Sequence, residues 1–444
     1  MKRSIVPVAL AAVALALGCG PSASQPAADA GAGGADAAGP GGCTGASCYN
    51  HCPDGKRTAL TGVVRAPNGI DPVPGAAVYV PKGTVTEFPP EVACEVCDQL
   101  QGISIVSTTT ATDGSFRLEP VPTAANQAPG ESIVVVTQMG RFRSVQRVPI
   151  ANPCEDNAPG DEYFRLPSRD DGATQSIPRI AVASGDYDVM ECVLLKLGIE
   201  QGQFDIYEGQ SLGADPAAVD TFDNLLRDLA RMKSYNIIFI NCTGNTYENL
   251  LSDATVRANI ENYVLSGGRL YVTDWSYDYI EQIPNWAPLI DFEPGASGPD
   301  PEPVNAAAIG PGDIEVDATV RSPDLAEWLV AVEEASGDEI INASNQVHVQ
   351  HFLASWVEQY QVAEGDGVTV WLEGNADGQR PLTTTFDYEQ CGRVLYSSYH
   401  TEGRGFGDLG GSGFPNYCSS GPLTPQERVL EYLIFHIADC IDVE

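Results

Sequence analysis

Basic side chains are scarce in this sequence. Its 444 residues carry 24 Lys and Arg against 60 Asp and Glu, a formal net charge of −36. That argues against nucleic-acid and anionic-membrane binding, which depend on clustered Lys and Arg. The acidic excess reads as solubility and mutual repulsion at a crowded surface. Beyond the first 20 residues there is no run of 18 or more apolar side chains, so no later transmembrane helix is expected. No Asp-x-Asp-x-Asp-Gly loop of the calcium-binding type occurs. What is present is a globular composition, 43% hydrophobic, long enough for two or three domains.

The start of the chain has the form of an export signal. Lys2 and Arg3 precede an apolar stretch over residues 5–17, too short to span a bilayer. Ala16-Leu17-Gly18-Cys19 resembles a bacterial lipobox, with Ala16 where Leu is usual. The resemblance implies cleavage before Cys19 and a lipid on that residue. Gly20, in place of Asp, implies an outer-membrane lipoprotein, periplasmic or surface-exposed. Residues 1–18 are therefore expected to be a signal peptide, and 19–55 the lipidated Cys and a flexible tether. Residues 20–42, rich in Ala, Gly, Pro and Ser, cannot bury a core.

Setting Cys19 aside leaves 11 of the 12 cysteines, and an exported chain with this many is expected to form disulfides. Cys48, Cys52, Cys94 and Cys97 have spacing compatible with zinc, which an oxidising compartment disfavours.

From residue 58 to about 166, short strands alternate with turn signals. Asn68-Gly69 and Pro74-Gly75 are turns, and at least five strands fit a small antiparallel β-sandwich. Gly62-Val63-Val64, Val73-Pro74-Gly75-Ala76-Ala77-Val78 and Thr112-Asp113-Gly114-Ser115-Phe116 resemble the carboxypeptidase regulatory-like, prealbumin-type sandwich. The resemblance implies a domain over 56–168 with a carbohydrate-binding-like fold. It departs from that family in a long insertion between Lys82 and Val106. Residues 154–176 read as a connection between domains.

From residue 177 the pattern changes to alternating strand and helix. Ile180-Ala181-Val182-Ala183, Phe204 onward, Ile237-Ile238-Phe239-Ile240 and Leu270-Tyr271-Val272 are buried strands. Asp215-Pro216 reads as a helix start, with Val219, Phe222, Leu225, Leu226 and Leu229 at helical spacing. The expected fold of 177–444 is thus a doubly wound, mostly parallel α/β sheet. Residues 284–366, rich in Pro, Gly and acidic side chains at first, read as an insertion or lid. A hairpin joined at Asn375-Ala376-Asp377-Gly378 follows, then a last strand at Val394-Leu395-Tyr396. Thr424-Pro425-Gln426-Glu427 is a capping box opening the closing helix.

In such a sheet, ligands sit beyond the carboxyl ends of the strands. Asp274-Trp275-Ser276-Tyr277-Asp278 and Tyr399-His400-Thr401-Glu402 fall there. This region resembles the class I glutamine-amidotransferase-like, flavodoxin-like fold, including its trehalose-utilisation-like branch. In those enzymes a strand-to-helix elbow carries a Cys nucleophile and a late strand ends in His-Pro-Glu. Here His400-Thr401-Glu402 matches His and Glu, while the elbow falls at Asp274-Trp275 and has no Cys. Without that thiolate, amidotransfer is not expected. The leading expectation is an envelope-located, non-catalytic binding or scaffolding module, its ligand a glycan or another envelope component. A purely architectural role is a third option.

The alternative is a hydrolase acting on a sugar or amide. Its candidate catalytic residues are His400, Asp274, Glu402 and Ser276. Asp186, Asp188, Trp275, Tyr277, Asp278 and Tyr399 are candidate ligand contacts. Cys242, near the same edge, is a displaced nucleophile or the disulfide partner of Cys192 or Cys418. Cys391 and Cys440 are expected to pair, closing a loop worth about 4 kcal/mol in the chain-entropy model. His348 and His351 would share a face only on a helix. No metal and no cofactor is assigned.

Overall fold

The computed structural model describes residues 49–94, 103–123, 128–209, 215–243, 248–293, 303–312, 314–365, 367–401 and 413–438. The expected signal peptide, Cys19 and most of the tether lie outside the described residues, as do Cys97, Glu402 and Cys440.

Two small sheets form the first part. Ser104–Thr109, Ala77–Pro81, Glu131–Met139, Phe142–Ile150 and Gln175–Ser176 pair in that order, all antiparallel. Ser115–Leu118, Ala59–Val63 and Asp156–Asn157 make the second sheet. Leu60, Val78, Phe116, Leu118, Phe142, Val148 and Phe164 are buried in one core. Residues 154–176, expected as a plain connection, supply a strand to each sheet.

The second part is a ten-stranded sheet. Its strands are β1 (Ile180–Ala183), β2 (Phe204–Glu208), β3 (Ala218–Thr221), β4 (Ile237–Ile240), β5 (Arg269–Thr273), β6 (Ile314–Val320), β7 (Gln346–Phe352), β8 (Val368–Asn375), β9 (Gln379–Tyr388) and β10 (Gly392–Ser397). Their order is β3-β2-β1-β4-β5-β10-β9-β8-β6-β7. The pairings from β3 to β10 are parallel, and those from β10 to β7 antiparallel. The sheet is therefore mixed, and the chain combines α/β with β-rich architecture. The central parallel strands are apolar on both faces because both are covered. Val182, Phe239, Tyr271 and Leu395 face the core shared with the two small sheets, while Ala183, Ile240, Val272 and Tyr396 face the other.

Three expectations are corrected. The helix expected from Asp215-Pro216 starts later, after β3. The Asp215 carboxylate accepts from the Ala217 amide in a local turn, and the helix Phe222–Arg227 is capped by Thr221. Residues 284–366 are not simply a lid. The period-two burial of β6 and the helix Pro323–Ser336, capped by Ser322 and closed by left-handed Gly337, extend the sheet. Short parts reach the strand ends: Ser355 and Val357 bond Trp275 and Asp274, and the Asn305 and Ala307 amides donate to Asp278 and Tyr277. His348 lies on β7, with its ring exposed beside Glu315 and Asp317.

The third correction concerns cysteines. Cys391 is bonded to Cys94, not Cys440, and Cys192 to Cys418; Cys52 pairs with Cys154. The loop after Lys82 runs across the α/β edge, where the Val92 amide donates to the Lys233 carbonyl. That brings Cys94 to the start of β10. Cys242 is a free, buried thiol, because the two partners expected for it hold each other. A further tie joins the two parts. Arg428, on the closing helix Pro425–Ala438, is buried between Asp71 of the first part and Glu431.

Candidate functional site at the strand ends

Four adjacent strands, β1, β4, β5 and β10, end at the same edge. β1 and β4 flank the point where the chain, having run outward through β2 and β3, returns to the centre. Such switch points leave a crevice beyond the strand ends.

Each strand delivers one group. β4 runs into Asn241 and Cys242, and the Cys242 amide donates to Thr273 Oγ1 at 2.8 Å. β5 runs into Asp274, which turns with φ 42° into a short 3-10 segment, Asp274–Ser276. That left-handed backbone re-aims the carboxylate at the point where a strand-to-helix elbow presents its side chain. β10 leads through Ser398 and Tyr399 to His400, whose backbone carbonyl accepts from Gln426 Nε2 at 2.6 Å. β1 leads to Gly185, where a Cβ would fall 2.1 Å from the Cys242 carbonyl oxygen, so only glycine fits.

His400 Nε2 lies 3.1 Å from Asp274 Oδ2, and the Cys242 thiol donates to the same oxygen at 3.4 Å. Asp274 Oδ1 accepts from the Val357 amide at 2.6 Å, and its backbone carbonyl accepts from Tyr396 OH at 3.0 Å. The Trp275 amide hydrogen-bonds the thiol. Cys242, Asp274 and His400 are each only 1% exposed. Burial, and then the Asp274 charge, push the Cys242 thiol well above its ordinary pKa. It is therefore held as a neutral thiol rather than a nucleophilic thiolate. Its Sγ, one Asp274 carboxylate oxygen and one His400 ring nitrogen lie within 4.8 Å of one another, so these three residues could hold a metal ion.

The other candidates are placed differently. Asp188 is fully buried, and its Oδ1 accepts from the amides of Val189 and Thr401, while Oδ2 has no hydrogen-bond partner among the described residues. Asp186 Oδ2 accepts from Thr243 Oγ1 at 3.4 Å. The Ser276 hydroxyl donates to the Asn241 carbonyl at 3.0 Å, which uses its only proton. Asp278 belongs to a separate group. It hydrogen-bonds Glu281, Gln282 and the Asn305 amide, and burial raises its pKa to about 6. Tyr277 and Tyr399, expected to floor a pocket, are core side chains. Tyr277 packs on Phe292, and the Tyr399 hydroxyl bonds Thr383. The Trp275 indole N–H donates to the Ser355 carbonyl at 2.7 Å.

Sequence reasoning missed Glu191. It is buried behind the site, where Oε1 accepts from Tyr417 OH at 2.6 Å and Oε2 from Asn241 Nδ2 at 2.8 Å. Burial raises its pKa to about 7. The available signal was a lone carboxylate within the apolar stretch Val189-Met190-Glu191-Cys192-Val193-Leu194, on the first helix after β1.

No family model matches this chain, and no curated protein matches it. Among solved structures, a ThuA-like protein of Parabacteroides merdae is 13% identical, with a TM-score of 0.32 over 60% of this chain and 90% of its own. A cytoplasmic protein of Salmonella typhimurium is 14% identical, with a TM-score of 0.31 over 59% of this chain and 99% of its own. A ThuA-like protein of Bacteroides uniformis is 12% identical, with a TM-score of 0.30 over 58% and 89%. Likeness this loose bears on neither fold nor function.

Proposed function

We propose that this is an exported, lipid-anchored protein of the cell envelope whose α/β part is a degenerate amidotransferase-like module that binds or scaffolds rather than catalyses. The observation that carries the reading is the burial of Cys242, Asp274 and His400 against one another, with the thiol kept protonated. A nucleophile must reach its substrate, and its base must be able to take the proton. Neither condition is met by a neutral thiol already donating to a buried carboxylate.

A binding surface is better supported elsewhere. The segment that follows Lys82 covers one face of the five-stranded sheet and leaves a cavity of about 400 Å³. Phe88, Arg141, Arg143 and Arg179 line it, with Glu87 and Asp170. Arg143, only 7% exposed, has its guanidinium carbon 3.9 Å from the Phe88 ring centroid. A buried guanidinium and an aromatic face suit an acidic glycan of the envelope.

The test is cosedimentation of the purified chain with cell-wall sacculi. The reading expects saturable binding, unchanged in His400→Ala and weakened in Arg143→Ala. Loss in His400→Ala with Arg143→Ala unaffected would overturn it. Lipid anchoring is tested separately, by incorporation of a labelled fatty acid that Cys19→Ser abolishes.

One geometric fact favours the alternative, a hydrolase of sugar or amide bonds with His400 and Asp274 as its acid/base pair. The two side chains are 3.1 Å apart, and Asp274 occupies the left-handed elbow.

A further inference from the structure

We propose that Cys242 Sγ, Asp274 Oδ2 and His400 Nε2 are the protein ligands of one divalent cation of the zinc class.

The spacing of the donor atoms is the first argument. Zinc holds sulfur at about 2.3 Å and imidazole or carboxylate at about 2.0 Å in a tetrahedron. Those radii set sulfur-to-oxygen edges of about 3.5 Å and nitrogen-to-oxygen edges of about 3.3 Å. The observed edges are 3.4 Å from Cys242 Sγ to Asp274 Oδ2 and 3.1 Å from His400 Nε2 to Asp274 Oδ2. Both edges to Asp274 thus match an ion's to within a few tenths of an ångström, and the third, from Cys242 Sγ to the His400 ring, is within 4.8 Å, so the imidazole or the thiol closes that edge as the ion enters. The donor set, one thiol, one imidazole and one carboxylate, suits zinc and its neighbours rather than magnesium or calcium, which take oxygen.

The surroundings are the second argument. Ligands of a metal are oriented by partners of their own. Asp274 keeps its other oxygen on the Val357 amide. The Cys242 backbone is pinned by Thr273 Oγ1, and that of His400 by Gln426. These contacts aim the three donors from β4, β5 and β10 at one point.

Charge is the third. Asp274 and Asp188 are both buried, and among the described residues neither is paired with a Lys or Arg. Among the described residues, Asp188 also leaves one carboxylate oxygen without a hydrogen bond. Buried carboxylates without a cation are costly. A dication among them offsets that cost. In coordination Cys242 binds as the thiolate and its proton is released to solvent, so the charges of Cys242 and Asp274 match the ion's.

The same distances are also those of ordinary S–H···O and N–H···O hydrogen bonds, and the experiment separates the two. The purified full-length chain is stripped with chelator and titrated with Co(II). The proposal expects one cobalt per chain, d–d bands of tetrahedral intensity and a thiolate-to-cobalt charge-transfer band in the near ultraviolet. Cys242→Ser should abolish that band, and His400→Ala should weaken binding by more than about tenfold, since even outer-shell partners are worth that much. A wild-type chain that keeps its circular dichroism yet binds no cobalt overturns the proposal, whether or not the variants fold. So does a thiolate band that survives in Cys242→Ser.

Discussion

Asp274 Oδ2 receives two neighbours at once, His400 Nε2 at 3.1 Å and the Cys242 thiol at 3.4 Å, while Oδ1 is held by the Val357 amide. This one carboxylate ties the ends of β4, β5 and β10 to the segment after β7. Asp274→Ala leaves a buried amide and a buried imidazole without it. An unmet buried donor costs about 1–3 kcal/mol, so thermal unfolding should show a clear loss of stability. A change within measurement error would mean the carboxylate does not hold these elements together.

Glu191 predicts a pH dependence. Its folded pKa, about 7, lies above the reference value of 4.5, so the folded state binds the proton more tightly. Its contribution is full below about pH 4.5 and is lost as pH rises through about 7. The size is on the order of 3 kcal/mol, from about 1.4 kcal/mol per pKa unit. Glu191→Gln removes the titration and keeps an acceptor for Tyr417, and Asn241 Oδ1, which has no partner among the described residues, can turn to meet the new amide. Urea unfolding at pH 5 and pH 8 should show the variant gaining on wild type at the higher pH. A constant difference across the range would contradict this.

Arg428 lies between Asp71 and Glu431, all three nearly inaccessible, and burial raises the Glu431 pKa well above its ordinary value. Arg428→Met strands two buried acids and should cost about 3–5 kcal/mol. Replacing all three with apolar residues of similar volume should recover most of that. If the triple variant is no better than the single one, the loss is one of packing rather than charge.

The thiol assignments predict a peptide map. Digestion without reduction should give linked peptides for Cys94 with Cys391 and for Cys192 with Cys418. Cys242 should be alkylated only after denaturation. Modification of Cys242 in the native chain would show that the strand-end site is open.

What could be read from the sequence was local. The apolar run Ile237-Ile238-Phe239-Ile240 is a strand buried on both faces, and Thr424 and Glu427 exchange capping hydrogen bonds as their spacing implies. The strand-end rule pointed to the edge where Asp274 and His400 meet. What could not be read depends on distant segments. Cys94 reaches Cys391 only because the loop after Lys82 crosses to the other sheet. The Val357 amide arrives at Asp274 from a stretch with no turn or cap signal. At Asp215-Pro216 two local structures compete, and the turn through the Ala217 amide wins over a helix cap because β3 must first pair with β2. Tyr277 and Tyr399 looked like ligand-binding aromatics, because composition does not distinguish a pocket floor from a packed core.

The most direct test of the non-catalytic reading is product release from sacculi. Wild-type and His400→Ala chains would be incubated with purified sacculi and the supernatants analysed by mass spectrometry for freed glycan and amide fragments. The account predicts saturable retention by both chains and no released fragments from either. Fragments released by wild type and abolished in His400→Ala would contradict it and make His400 and Asp274 the working pair of a hydrolase.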